Sequence, residues 1–260
     1  MSKLIDKLNR VSQTAPQPIG FRTAQPAASK RNMLLIASFA QTSAENLTDY
    51  IDGADAGLLH ISNLSSGIKA LQKISPATPD IPWGIRLKDS GTSEIKQLIK
   101  AGCDFIVFSA GTPLAMLRKE DVGKVLEVET SLTEGLLRTL NELPIDAVLV
   151  GGAQDGDSSL TWHHLMLFQR FAALLTKPLL ISTSPNITDS ELQALWDAGV
   201  DGVIIEVKAG QPAERLKELR QAIDKLTPAP RKRGKIEALL PRVAEKAELT
   251  TEQEEEEEEP

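Results

Sequence analysis

The sequence predicts an α/β fold built as one closed (β/α)8 barrel, on three observations. Eight short apolar runs with strand character occur at 33–40, 57–62, 83–88, 105–110, 125–129, 147–150, 179–183 and 203–207. Helical patterns lie between them at 93–101, 131–143, 160–176 and 189–198, and another, 213–226, follows the last run. Strands alternating with helices make βα units and a parallel sheet. The second observation is a repeat. The turns Gly53-Ala54-Asp55-Ala56, Gly102-Cys103-Asp104-Phe105, Pro144-Ile145-Asp146-Ala147 and Gly199-Val200-Asp201-Gly202 lead into the second, fourth, sixth and eighth runs. Each places an Asp just before the apolar stretch, and the Gly in three of them suits a helix C-cap. A repeat every two βα units, four times over, points to an eightfold closed ring. The third observation weighs against the alternative, a doubly wound open sheet. Ser38-Phe39-Ala40-Gln41 stands where that fold would carry Gly-x-Gly-x-x-Gly.

Three zones follow. An extension, 1–32, opens with a short amphipathic stretch in which Leu4, Ile5, Leu8 and Val11 share one helical face. This stretch reads as a lid packed on the barrel, because it is too short to anchor a membrane alone. The barrel occupies 33–226. A charged tail, 227–260, carries the basic run Arg231-Lys232-Arg233, a short helical pattern near 236–240 and six consecutive glutamates, 254–259. Like charges at that density repel, so the tail is expected to be largely disordered.

Composition excludes several classes. The chain of 260 residues is 41% hydrophobic and 4% aromatic, so its core must be aliphatic. The net charge is −7, of which −4 falls in 228–260. An acidic chain is a poor match for nucleic acid as main partner. No apolar run approaches the ~18–20 residues of a membrane span, and the first ten residues lack the apolar core of a secretory signal. Cys103 is the only cysteine, which rules out an intrachain disulfide or thiolate zinc site. A cytoplasmic location is expected.

Strand parity places the chemistry. Side chains alternate along a strand. On the third run Trp83, Ile85 and Leu87 share the apolar face, so Gly84, Arg86 and Lys88 point inward. The same reasoning turns Glu127 and Glu129 inward on the fifth run, and His60 and Ser62 on the second. It turns Ile204, Glu206 and Lys208 inward on the eighth. Charges cannot sit unpaired in a dry core. Active sites of such barrels lie at the C-terminal ends of the strands, where Lys88, Glu129, Glu206 and Ser62 fall, with Arg86 and Glu127 one layer deeper. Two readings compete. Arg86–Glu127 and Lys88–Glu129 make structural ion pairs, or Lys88 and Glu129 form a catalytic acid/base pair supported by Arg86–Glu127.

Other candidates lie in the rim loops. Asp155 stands in the Gly-rich loop after the sixth run, as a base, a metal ligand or a turn residue. Ser184 and Asn186 follow the seventh, where barrels often hold phosphate on backbone N–H groups. Thr188 or Asp189 with Glu191 reads equally as a helix cap. His163-His164 lack the spacing of a zinc motif, and no metal site is expected. Cys103 sits at the bottom face as a core or turn residue.

Two segments carry a resemblance. The stretch from Ala198 through Ile205, with Pro178-Leu179-Leu180-Ile181-Ser182 before it, resembles the last two strands of aldolase-type TIM barrels. Ala101-Gly102-Cys103-Asp104-Phe105-Ile106-Val107 is similar to their middle strands. Within that group the chain looks most like phosphate-binding barrels, including the flavin-dependent nitronate monooxygenases and thiamine phosphate synthase-like enzymes, over about 33–226. The resemblance implies a phosphate group, and FMN as a cofactor, held after the seventh and eighth strands. The chain departs from that pattern. Thr183-Ser184-Pro185 replaces the usual Gly-Gly, and Glu206-Val207-Lys208 replaces Gly-Ser or Gly-Thr. Glu206 would repel a phosphate placed there.

The expectation is therefore an enzyme acting on a small polar or anionic metabolite. Lys88 and Glu129 would move protons or do carbonyl chemistry at the rim. Arg86 and Ser184 would orient the substrate, with His60, Asp155, Asn186 and Glu206 lining the site. The alternatives are a non-catalytic barrel that binds a protein partner or itself through its termini, and an FMN-dependent oxidoreductase.

Overall fold

The computed structural model describes residues 2–12, 32–40, 50–61, 64–87, 95–114, 122–151, 160–207 and 214–227. Strands β1 (Leu34–Ala40), β2 (Ala56–His60), β3 (Trp83–Arg86), β4 (Cys103–Ser109), β5 (Gly123–Val128), β6 (Ala147–Val150), β7 (Leu179–Thr183) and β8 (Gly202–Val207) form a closed parallel barrel. Each strand pairs with the next, and β8 returns to β1 in the register Leu34↔Gly202. The described helices are α1 (Lys3–Ser12), α2 (Leu64–Ala77), α3 (Ile95–Lys100), α4 (Glu134–Thr139), α5 (Trp162–Leu174), α6 (Asp189–Asp197) and α7 (Glu214–Asp224). The helix expected over 131–143 is shorter, because α4 tightens into a 3-10 turn at Leu140–Glu142. Helix α2 has no counterpart in the sequence reading. Ser65, Ser66, Gly67 and Pro76 all depress helix propensity, and burial of Leu71 and Ile74 against the barrel outweighs them. The tail beyond Thr227 lies outside the described residues.

The repeated Asp has a structural role. Asp201 donates its N–H to the Leu179 carbonyl (2.9 Å), and its carboxylate accepts the Leu179 N–H (2.7 Å). Asp146 does the same to Lys124 on β5, and Asp55 to Leu35 on β1. Three of the four even strands thus clamp one residue of the odd strand before them, which sets the register where the barrel begins. Gly53, Gly102 and Gly199 precede these turns with φ of +95, +98 and +94°, the left-handed conformation of a helix C-cap.

Asp104 departs from the pattern. The register slips between Trp83 and Gly84, so Asp104 falls at a bulge. Its carboxylate instead accepts from Ser2 Oγ (2.7 Å), Lys3 N (2.8 Å) and Leu4 N (2.9 Å), the free N–H groups that open α1. Leu4, Ile5, Leu8 and Val11 are all buried, as their shared face predicts. A Cβ on Gly123 would lie 2.7 Å from Ser2 Oγ and 3.0 Å from Ile5 Cγ1. Helix α1 therefore closes the N-terminal end of the barrel.

The register decides which side chains enter the barrel. Gly67 of α2 abuts Ile61 and Ile85, so Ile85 faces the helices and Gly84 and Arg86 face inward. A Cβ on Gly84 would lie 2.3 Å from the Phe105 ring, so Phe105 fills the interior over that glycine. Carried around the pairings, the same parity turns Val107, Val125, Ala147, Leu149, Leu180, Ile204 and Ile36 inward. An aliphatic floor results, and the polar inward residues sit above it.

Candidate functional site at the C-terminal mouth

Five polar side chains line neighbouring strands at the top of this interior. Ser38 of β1 is level with Glu206 of β8, and His60 of β2 is level with Arg86 of β3. Glu127 of β5 completes the arc, level with Ser109 of β4. The inward orientation expected for His60, Arg86, Glu127 and Glu206 is the one this register produces.

Arg86 and Glu127 form a two-pronged ion pair. Arg86 Nε donates to Glu127 Oε2 at 2.9 Å, and Nη2 donates to Oε1. Their side chains are 21% and 22% exposed. Burial pushes the Arg86 pKa down, and the nearby Glu206 carboxylate opposes that shift. The guanidinium thus stands between two carboxylates on different walls, one bonded and one felt through space. Glu206, expected one layer above Arg86, is close enough to act on its charge.

Ser38 was not recognised in the sequence as a site residue. It is 2% exposed, and its Oγ lies 2.8 Å from His60 Nε2, which fixes the edge the imidazole presents. The signal was present: Ser38 is the polar member at an inward position of the otherwise apolar first run.

Glu129 follows β5 and is exposed, and its Oε2 accepts from Ser131 Oγ at 3.1 Å. Arg170 of α5 holds this turn through the carbonyls of Thr130 (3.2 Å) and Leu132 (3.0 Å). Glu129 is thus presented to solvent on a braced turn just above Glu127. Lys88, the expected partner of Glu129, and Asp155 lie outside the described residues, as do Ser62 and Lys208.

Ser184 and Asn186 belong to the loop after β7. The Ser184 hydroxyl accepts the Asn186 N–H (3.2 Å), its carbonyl accepts the Ile187 N–H (3.3 Å), and Thr188 N donates to Glu191 Oε2 (2.8 Å). Arg215 of α7 seals the loop through the carbonyls of Pro185 and Ile187, each at 2.9 Å. Three N–H groups of this loop, those of Asn186, Ile187 and Thr188, are thus engaged within it. Thr188 caps α6 in a reciprocal box with Glu191, as the capping alternative expected.

His164 caps α5 in the same manner with Thr161, and stacks on Phe168 at 6.3 Å. Among the described residues no cluster of three or more His, Cys, Asp or Glu can hold a metal ion. No described helix is long and apolar enough to cross a membrane. Cys103, the first residue of β4, is buried, and that burial pushes its thiol up to about 12. This suits a core residue and not a nucleophile.

No protein-family model matches the sequence, and no curated protein matches it. Its likeness to solved structures is one of fold. A variant of the tryptophan synthase alpha-subunit from Pyrococcus furiosus superposes with a TM-score of 0.60 at 12% identity, covering 74% of this chain and 97% of that one. A protein of Aquifex aeolicus gives 0.61 at 12% identity, covering 87% and 98%. Tryptophan synthase from M. tuberculosis, in an open form, gives 0.58 at 15% identity, covering 74% and 91%. The chain is a closed (β/α)8 barrel that shares the fold of the tryptophan synthase alpha-subunit.

Proposed function

We propose that this barrel is an enzyme acting on a small polar metabolite bound at its C-terminal mouth. The observation that carries the reading is the Arg86–Glu127 pair with Glu206 in electrostatic reach, because it spends three partly desolvated charges at the end of the barrel where such folds do chemistry. Lys88 and Glu129, which alternation along the sequence assigns to the same side as Arg86 and Glu127, are the proton-transfer pair, acting on a carbonyl or an adjacent C–H or O–H bond. Arg86 orients an anionic or carbonyl oxygen with its guanidinium edge. His60, positioned by Ser38, and Glu206 hydrogen-bond the rest of the ligand. Ser184 and Asn186 line the rim. Likeness to tryptophan synthase alpha-subunits supports an enzyme of small-molecule metabolism and stops short of the reaction.

Two measurements test this. Native mass spectrometry of freshly purified protein, followed by denaturation, should release a bound small molecule. Thermal-shift screening of polar and phosphorylated metabolites should raise Tm for its close relatives. Lys88→Ala and Glu129→Gln should then each lower turnover of that compound at least a hundredfold while retaining its binding. An empty barrel that no compound stabilises, or turnover unchanged in both variants, refutes the proposal.

A further inference from the structure

Helices α2 and α3 carry charge of one sign only. Lys69 and Lys73 are exposed on α2, four residues apart on one face, and Lys96 and Lys100 are exposed on α3. Neither helix contains a carboxylate. The two helices follow successive strands and pack side by side. Between Leu64 and Gly102 the only described carboxylate is Asp80, in the turn before β3. Asp89 and Glu94 fall in 88–94, outside the described residues, and Asp104 is committed to the N-terminus of α1. Helix α5 also has a basic residue and no carboxylate, but its Arg170 is bonded to the carbonyls of Thr130 and Leu132, and helices α6 and α7 differ. Helix α6 holds Asp189, Glu191 and Asp197 and no basic residue. On α7, Arg215 pairs with Glu218, Lys217 with Asp52, and Arg220 with Asp55 and Asp224. In a chain of net charge −7, four lysines gathered on two adjacent helices, with no acidic partner among the described residues, form a distinct surface.

The same chain carries a matching anion. Residues 254–259 are six consecutive glutamates. The described chain ends at Thr227, whose N–H and hydroxyl both donate to Gln193 on α6 (3.1 and 3.2 Å). From there 26 residues, 228–253, lead to Glu254. That length reaches up to ~86 Å extended and ~30 Å as a flexible coil. Around the ring, α2 and α3 lie two and three positions from α7, or ~20–30 Å at helix spacings of 8–10 Å. The tether therefore reaches the lysine face without strain, and tethering holds the glutamates near it at an effective concentration of order millimolar.

We propose that the α2–α3 face, Lys69, Lys73, Lys96 and Lys100, is the docking surface for this chain's own glutamate run 254–259. Docking pairs the tail's acidic charge with the barrel's unpaired basic charge and lays the tail across the outside of the βα units that carry Arg86. Because the pairs are exposed, the contact is governed by ionic strength. It does not depend on the reading of the mouth as an enzyme site.

Zero-length carbodiimide cross-linking of the full-length chain, with peptide mapping, tests it. At low salt, amide links from Glu254–Glu259 are expected to concentrate on Lys69, Lys73, Lys96 and Lys100 in the monomer fraction. They should fall at least tenfold in 1 M NaCl, where the Debye length is ~3 Å. They should fall equally when all four lysines are changed to Gln, with an unchanged melting temperature showing that the barrel is intact. A second readout uses the burial of Cys103. A nitroxide on Pro260→Cys should broaden backbone amides of α2 and α3, and lose that effect at high salt. The proposal is overturned if the links fall on Lys232 and Lys235 of the tail itself or on Lys217 and Lys225. It is overturned equally if they occur only between two copies, or if broadening is uniform over the barrel.

Discussion

Replacing Arg86 should cost more than replacing Glu127, although the two are partners. In Arg86→Met, Glu127 and Glu206 are left facing the same interior with no cation between them. In Glu127→Gln, Arg86 keeps the attraction of Glu206 and an amide oxygen to bond. Removing one partner of a buried pair costs ~3–5 kcal/mol. These side chains keep about a fifth of their surface in contact with solvent, so we scale that cost to ~2–3 kcal/mol for Arg86→Met. Glu127→Gln should cost ~1 kcal/mol, and the double variant ~1 kcal/mol, which leaves a coupling of ~2 kcal/mol. For a domain of this size the Arg86→Met loss is a Tm decrease of ~4–12 °C. Urea denaturation of the four proteins at pH 7 measures the cycle without any substrate. Glu127→Gln at least as costly as Arg86→Met, or strict additivity in the double variant, would refute the three-charge arrangement.

Other consequences follow from the same geometry. Asp104→Ala removes the acceptor of three bonds at the start of α1 and should cost ~2 kcal/mol, with faster amide exchange at Leu4 to Leu8 as the specific readout. Gly84→Ala drives a methyl group into the Phe105 ring and should destabilise by ~1–3 kcal/mol, measurable by calorimetry and relieved by adding Phe105→Leu. Cys103 should resist thiol reagents at pH 8 in the native protein and react in urea. Its raised folded pKa, about 12, means stability is full below the unfolded thiol value and declines as pH rises toward 12. Thr188→Ala should cost ~1 kcal/mol by uncapping α6, with Thr188→Ser restoring it.

Most of the architecture was legible because alternation is a local property. Trp83, Ile85 and Leu87 against Arg86 and Lys88 announce which side of β3 meets the helices, and a parallel barrel makes every other strand obey the same rule. The Asp turns were legible as a repeat, but their function was not. The Asp201–Leu179, Asp146–Lys124 and Asp55–Leu35 clamps join residues ~20 apart that meet only once the odd strand lies beside the even one. Helix α2 was hidden by Ser65, Ser66, Gly67 and Pro76, whose poor propensity is overridden by the barrel wall. Ser38 was hidden because its partner His60 is 22 positions away.

The amino-acid sequence alone determined the ring, the inward set His60, Arg86, Glu127 and Glu206, the buried face of α1 and the uneven distribution of charge. These depend on the periods of strand and helix and on the composition of single segments, which short stretches of chain already contain. Only the tertiary structure decided that Arg86 bonds Glu127 while feeling Glu206, and that Asp104 leaves the pattern of its fellows to hold α1. It also decided that Arg170 and Arg215 brace the turns bearing Glu129 and Ser184, and that the two helices bearing four exposed lysines pack side by side. Each of these depends on a distance between elements remote in the chain. Such distances are set by strand register, by the bulge at Trp83–Gly84 and by closure of the barrel, and closure exists only when all eight strands are in place.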